Sequence, residues 1–371
     1  MMGLAMTLTL RHEWPIRSLE SEVQLAELLE LSVGQLRWLA DPKGLERKVT
    51  EERLRNYRYH LLTRSGGVPR VVEAPKARLK EVQRWILREI LEPVAVHESA
   101  HGFVARRSVI TAAEQHVGRE VILHFDLKDF FNSIAVRRVY GVFTVLGYSP
   151  PLAHLLSGLC TNVIPQAVSH AVAEAGLVTE AGAVAEAGIV DPRLVQARYL
   201  LGRQLASPHL PQGAPTSPAL ANLVAFRLDR RLAGLARRLD ASYSRYADDL
   251  VFSGPRALLA RCTKVERLVA EVVGEEGFRL NDEKSWPRTR ASRQSLCGVV
   301  VNDRPNLARE EYEQLKAILH NCILHGPSTQ NRAGQSDFKG HLRGRIAWAA
   351  ALNPDRGLKL RRQFQRIDWS R

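Results

Sequence analysis

The sequence predicts an α+β fold in which a small antiparallel sheet lies among amphipathic helices. Three observations predict it. Two stretches, Tyr57 to Ala74 and Ser242 to Ser253, each read as two short apolar strands joined by a turn. A third apolar run, Glu120 to Asp126, has the length of a buried strand and ends on a carboxylate. Around them apolar residues recur at threes and fours, the period of a helix that buries one face.

From Ser18 to Ala40 that period is carried by Leu25, Leu28, Leu29, Val33, Leu36 and Leu39, which predicts one or two helices. Ser65-Gly66-Gly67 supplies the turn of the first hairpin, with VPRVVEA as its second strand, and Lys76 to Leu91 continues as helix. Val121, Ile122, Leu123 and Phe125 form the strand that delivers Asp126, and helical signals resume after Phe131. AVAEAGLV at 171 to 178 and AVAEAGIV at 183 to 190 are an imperfect repeat of low complexity. Two copies are too few for a solenoid, so the segment reads as an inserted helical hairpin or a surface loop without chemistry. PQGAPTSP at 211 to 218 reads as a loop and helix start, with Ser217 as cap and Pro218 at the first position of a helix over Ala219 to Leu239. In the second hairpin the turn is expected at Ala247-Asp248-Asp249, before the strand Leu250-Val251-Phe252. VVVND after Gly298 is another expected strand, and residues 308 to 371 a basic helical region.

With 371 residues the chain can bury a large core and is expected to hold two or three subdomains. Lys and Arg number 53 against 39 Asp and Glu, a formal charge of +14 that favours a polyanionic partner, nucleic acid first. No stretch approaches the ~20 uninterrupted apolar residues of a membrane span, and MMGLAMTLTLRHEWP lacks the basic region and cleavage site of a secretory signal. The expected location is therefore the cytoplasm, with no membrane partner. Cys160, Cys262, Cys297 and Cys322 are widely separated, so they predict reduced, mostly buried thiols and not a zinc site.

Adjacent acids are common on surfaces, and Asp248-Asp249 alone would read as a solvated turn. Here they stand between Tyr246 and Leu250-Val251-Phe252, where unpaired carboxylates are costly unless a cation compensates. Asp126 ends a separate apolar strand. Carboxylates from two strands meeting at one point can hold two magnesium ions ~3.5 to 4 Å apart, the arrangement that activates a 3′-hydroxyl and stabilises a leaving pyrophosphate. Hard oxygen ligands suit magnesium.

FDLKDFF at 125 to 131, LPQGAPTSPALANL at 210 to 223, YADDLVFSG at 246 to 254, GFRLNDEKS at 277 to 285 and LCGVVVND at 296 to 303 resemble, in order and spacing, the palm motifs of reverse transcriptases. SAHGFVARRSVITAAEQH at 99 to 116, PQGAPTSP and the YADD to FSG run resemble most the bacterial retron-type enzymes, over roughly residues 55 to 355. Two stretches depart from that pattern, Ala112 to His116 and Leu296-Cys297-Gly298. The resemblance implies a right-hand polymerase fold with fingers, an antiparallel-sheet palm and a helical thumb. The implied divisions are an N-terminal helical region over 1–55, fingers over 56–120, a palm over 121–304 with a partly inserted segment at 165–200, and a basic thumb over 305–371.

The resemblance also implies roles. Asp126, Asp248 and Asp249 are the catalytic and metal-binding carboxylates, Asp126 and Asp248 as ligands of two Mg2+ ions that Mn2+ could replace and Asp249 as a nearby carboxylate supporting metal or primer-end geometry. Arg70, Phe131, Gln212, Gly213 and Lys284 bind the nucleotide: Arg70 as a guanidinium suited to phosphate, Phe131 as a ring excluding a 2′-hydroxyl, Gly213 by letting backbone approach, and Lys284 near the pyrophosphate, with Asn281 orienting its turn. Leu296, Cys297 and Gly298 grip the primer end. Arg106, Arg107, His116, Lys339, Arg343 and Arg345 are candidate nucleic-acid contacts, against solvated surface for the two arginines and packing for His116. The implied activity is RNA-directed DNA synthesis on a structured noncoding RNA that serves as template and primer, yielding single-stranded cDNA, from dNTP substrates, as branched msDNA in antiphage defence with an effector or toxin protein. A non-retron reverse transcriptase, defence-associated or like those of group II introns, and an inactive RNA-binding relative are the alternatives.

Overall fold

The structure, a computed structural model, describes residues 14–62, 68–174, 192–281 and 286–370. The N-terminal thirteen residues, the Ser65-Gly66-Gly67 turn, the repeat from residue 175 on and Lys284 lie outside these. Two compact units interleave along the chain, one of residues 1–98, 127–230 and 272–280, the other of 99–126, 231–271 and 281–371.

In the first unit, strands β1 (Tyr57–Leu62) and β2 (Arg70–Pro75) pair antiparallel, with Tyr57 opposite Pro75 and Leu62 opposite Arg70. Along β2 burial alternates, Val71, Glu73 and Pro75 inward and Arg70 outward, as the two-residue period of a strand requires. The expected N-terminal helices are Glu22–Leu28 and Val33–Ala40. Ser32 and Gln35 close a capping box at the start of the second. Helix Ala77–Ile86 runs on into a wider turn over Leu87–Leu91. Val71 packs with Ile164, Val172, Leu201 and Leu205, which come from β2, from helices Gln166–Glu174 and Pro192–Leu205, and from the segment before the first of these helices.

The PQGAPTSP loop differs from its expected capping. Ser217 is the first helical residue of Ser217–Val224, after Thr216, and its hydroxyl donates to the Pro211 carbonyl at 2.6 Å. The long helix expected beyond it is two, the second being Phe226–Arg238.

The second unit is organised by a four-stranded antiparallel sheet of β3 (Val121–Asp126), β4 (Ser242–Tyr246), β5 (Asp249–Gly254) and β6 (Trp286–Thr289), in the order β4-β5-β3-β6. Phe125 and Phe252 meet edge to face at 6.0 Å between ring centres. Ile122 and Val251 join a core with Leu296, Val299, Leu315, Leu319, Leu342, Ile346 and Leu360, which ties the sheet to helices Arg309–His325, Phe338–Leu352 and Pro354–Phe364. The strand expected in VVVND is only the two-residue β8 (Val299–Val300), paired with β7 (Ser295–Leu296). Among the described residues no helix is long and apolar enough to cross a membrane.

His116 is wholly buried, and both ring nitrogens are used: Nδ1 lies 2.7 Å from the Ser253 hydroxyl and Nε2 2.7 Å from that of Ser244. Burial pushes its pKa down to about 3, so the ring is neutral and joins β4 to β5. With no surface to offer, it is a packing residue and not a nucleic-acid contact. His116→Leu is expected to leave two buried hydroxyls unpaired and to lower Tm by roughly 5 to 10 °C, with RNA affinity of the folded fraction unchanged in a binding titration.

Candidate active site

Asp126 is the last residue of β3 and Asp249 the first of β5, and the register sets them directly opposite each other. Opposed residues of an antiparallel pair point to the same sheet face, with Cβ atoms about 5 Å apart. Tyr246 pairs with Asp249 across the hairpin. The turn is therefore Ala247-Asp248 alone, one residue shorter than expected, with Asp249 inside the strand. Two carboxylates face one another at the strand ends and the third stands in the adjoining turn.

Each opposed carboxylate is held. Asn281 donates its backbone N–H to the Asp126 carbonyl at 2.8 Å and its Nδ2 to Asp126 Oδ2 at 3.1 Å. Asp126 is almost fully buried. On Asp249, His124 Nε2 lies 3.0 Å from Oδ1, and the Cys297 thiol donates to Oδ2 at 3.3 Å. Although Cys297 is exposed, local desolvation of its sulfur and the negative charge of Asp249 and Asp248 raise its pKa, which keeps the thiol protonated and able to donate.

The turn itself is strained and braced. Ala247 has φ +55°, a conformation that side-chain-bearing residues seldom adopt. Arg245, fully buried, donates Nη1 to the Ala247 carbonyl at 3.0 Å. Residues 99 to 103 run alongside: Arg245 N donates to Ser99 O at 2.7 Å and His101 N to Arg245 O at 2.8 Å. A Cβ at Gly102 would stand 2.6 Å from the Ala247 nitrogen. The HGF segment is thus the backing of the Ala247-Asp248 turn, and Gly102 is there because only hydrogen fits. Phe103 adds its ring 6.5 Å from that of Tyr246.

Leu296 is buried, while Cys297 and Gly298, with φ of +46° and +84°, form the two-residue turn between β7 and β8. Positive φ at both central residues is the primed turn that suits a tight hairpin. This hairpin reaches Asp249 through Cys297.

Among the described residues no group of three or more His, Cys, Asp or Glu forms a ready ligand cage. The residues nonetheless fit magnesium, which takes one or two carboxylates together with waters and substrate phosphates and seldom an all-protein cage. Asp126 and Asp249 are opposed oxygen donors of that kind, with Asp248 beside them.

In the first unit, Arg70 is exposed on β2. The Gln212 carbonyl accepts from Glu73 N at 2.8 Å, so the Gln212-Gly213 loop is fastened to the strand that carries Arg70. Gly213 has φ +129°, and a Cβ there would stand 2.9 Å from Glu73 O. Phe131, half-buried, lies 5.5 Å from the Phe130 ring. Of the candidate nucleic-acid contacts, Arg107 donates to Ala100 O at 2.6 Å, and Arg106 is exposed with φ +64°. Lys339 and Arg343, both exposed, stand four apart on one helix face, and Arg345 is half-buried two residues on. The sequence reading missed His124, Arg245 and Gly102. Only Gly102 carried a local signal, the HGF stretch.

The profile described as reverse transcriptase (RNA-dependent DNA polymerase) matches residues 64–287. The retron Mx65 reverse transcriptase of Myxococcus xanthus is 39% identical over 354 residues, covering 95% of this chain and 73% of that protein. The retron Mx162 reverse transcriptase of the same organism is 34% identical over 368 residues, 95% of this chain and 68% of that protein. The retron Ec86 reverse transcriptase of Escherichia coli is 27% identical over 303 residues, 80% of this chain and 78% of that protein.

Proposed function

We infer the function from one premise: the chain belongs to the reverse transcriptase family and, within it, to the retron reverse transcriptases. It is an RNA-directed DNA polymerase. We infer further that it copies a structured noncoding RNA, which is both template and primer, into single-stranded DNA from dNTPs in the cytoplasm. The product would be branched msDNA, made in antiphage defence beside an effector protein. The observation that carries the catalytic part is the opposition of Asp126 and Asp249 across β3 and β5, with Asp248 in the adjoining turn.

Family members use divalent metal ions, and Asp126, Asp248 and Asp249 are the residues that would hold them here, as Mg2+ with Mn2+ a substitute. Bound there, the ions would acidify the primer hydroxyl and offset charge on the phosphates. The chain's own contribution is orientation. Asn281 fixes one oxygen of Asp126, while His124 and Cys297 fix both oxygens of Asp249, so these carboxylates meet the reaction with little reorganisation left. Arg70, Phe131, Gln212, Gly213 and Lys284 keep the nucleotide-binding roles that the resemblance implies. Leu296 to Gly298 keep the primer-grip role, and Lys339, Arg343 and Arg345 the RNA contacts. The fingers, palm and thumb divisions are carried over in the same way.

The test is expression of the chain with its neighbouring noncoding locus, followed by RNase treatment and gel analysis. Branched DNA that shifts after debranching is expected. Ordinary primer extension without such a product would remove the retron-RNA reading and leave the polymerase.

A further inference from the structure

Behind the Gln212-Gly213 loop lies a group of buried polar side chains that no step above uses. Glu73, on the inward face of β2, has no exposed surface. Its Oε1 lies 2.8 Å from His209 Nε2, and its Oε2 accepts from Asn162 Nδ2 at 2.7 Å. His209 is equally buried, and its Nδ1 lies 2.7 Å from the Ser207 carbonyl. That carbonyl can only accept, so Nδ1 carries a proton, and Nε2 meets the carboxylate across a second. An imidazolium paired with Glu73 satisfies both contacts. Burial pushes the His209 pKa down, but the charge of Glu73 and the bonds to Glu73 and Ser207 together outweigh it and raise the pKa.

The backbone adds to these side-chain bonds. Asn162 and His209 exchange N–H to carbonyl bonds at 2.9 and 3.0 Å, Leu210 N donates to Ile134 O at 3.0 Å, and Glu73 N donates to Gln212 O at 2.8 Å. The chain from Ser207 to Gly213 is therefore fastened to β2 twice at Glu73, by the His209 side chain and by the Gln212 carbonyl, and held besides by Asn162 and Ile134. A buried ion pair seldom adds net stability over apolar packing, because desolvation offsets the attraction. Its value is in fixing geometry. What it fixes here is the placement of the Gln212-Gly213 loop on the strand that bears Arg70.

We propose that Glu73, His209 and Asn162 are positioning residues for the incoming nucleotide, setting the Gln212-Gly213 backbone relative to β2 so that one pre-formed surface receives the dNTP. This rests on the nucleotide-binding reading of Arg70, Gln212 and Gly213. It predicts that loosening the triad weakens dNTP binding while the reacting carboxylates, which it does not touch, continue to turn over.

The experiment is steady-state extension of oligo(dT) on poly(rA) with dTTP, by the full chain and by Glu73→Gln and His209→Gln. Template–primer affinity and melting are measured alongside. The expected result is a KM for dTTP raised about tenfold with kcat within threefold and template–primer affinity unchanged, the pattern of lost ground-state binding. A double variant no worse than either single one is expected if the pair acts as a unit. A fall in kcat with KM unmoved would overturn the proposal and leave the triad as a stability element. If the charged-pair variants do not fold, Asn162→Ser decides the matter, since it keeps the ion pair and removes only the Asn162 Nδ2 bonds to Glu73 and to the Tyr59 hydroxyl. A wild-type KM for Asn162→Ser would overturn the proposal. Failure of the unaltered chain to extend any primer would instead sink the polymerase reading.

Discussion

Asp248→Asn is expected to lower nucleotide incorporation by about three orders of magnitude, roughly 4 kcal/mol of transition-state stabilisation, with little change in melting or RNA affinity. Asp248 stands in a two-residue turn and is half-buried, and the sheet beneath it closes through the pairs of Tyr246 with Asp249 and of Asp126 with Asp249. An amide of the same shape leaves those pairs intact while removing the negative charge that a cation requires. Single-turnover extension with saturating dNTP and Mg2+ reads the chemical step directly. Incorporation within tenfold of the unaltered chain would mean that Asp126 and Asp249 suffice and that Asp248 is a turn residue.

Gly102→Ala is expected to cost about a hundredfold in the same assay, although Gly102 bears no functional group. The added methyl would stand 2.6 Å from the Ala247 nitrogen and 3.2 Å from the Tyr246 carbonyl carbon, both backbone atoms. Backbone cannot swing aside as a side chain does, so the turn carrying Asp248 must move. Displacements near 1 Å can cost on the order of a hundredfold in rate. The change should fall on kcat, with dTTP KM nearly constant, which separates it from the loss expected on disturbing Glu73. Full activity in Gly102→Ala would show that the turn has slack.

The placement of the acids was readable from the chain because carboxylates stand out where apolar strands end. Asp126 and Asp248-Asp249 are conspicuous against Val121 to Phe125 and Leu250 to Phe252. Their partners were not readable. His124 sits inside an apolar strand, where a lone histidine usually means packing, and its bond to Asp249 spans 125 positions. Arg245 appears as an ordinary strand residue, yet it is fully buried and braces the turn two residues on. The Glu73 to His209 pair spans 136 positions and leaves no periodic trace. His116 erred the other way, because its match to a family position suggested a contact that burial forbids. Turn length was misjudged by one residue at Asp249, since strand register depends on pairing and not on composition.

The pairing of β3 with β5 and β6 also sets a schedule for synthesis. β3 ends at residue 126, whereas β5 begins at residue 249 and β6 ends at residue 289. At ~5 to 20 residues per second on the ribosome, β3 waits on the order of ten to thirty seconds for the strands on either side of it. During that interval Val121, Ile122, Leu123 and Phe125 form an unpaired apolar edge in a nascent chain, the kind of segment that holdase chaperones cover and that aggregates when they are scarce. The face that sets Asp126 opposite Asp249 cannot exist before most of the protein has been made, so truncated chains lacking β6 should accumulate as insoluble material and not as inactive enzyme.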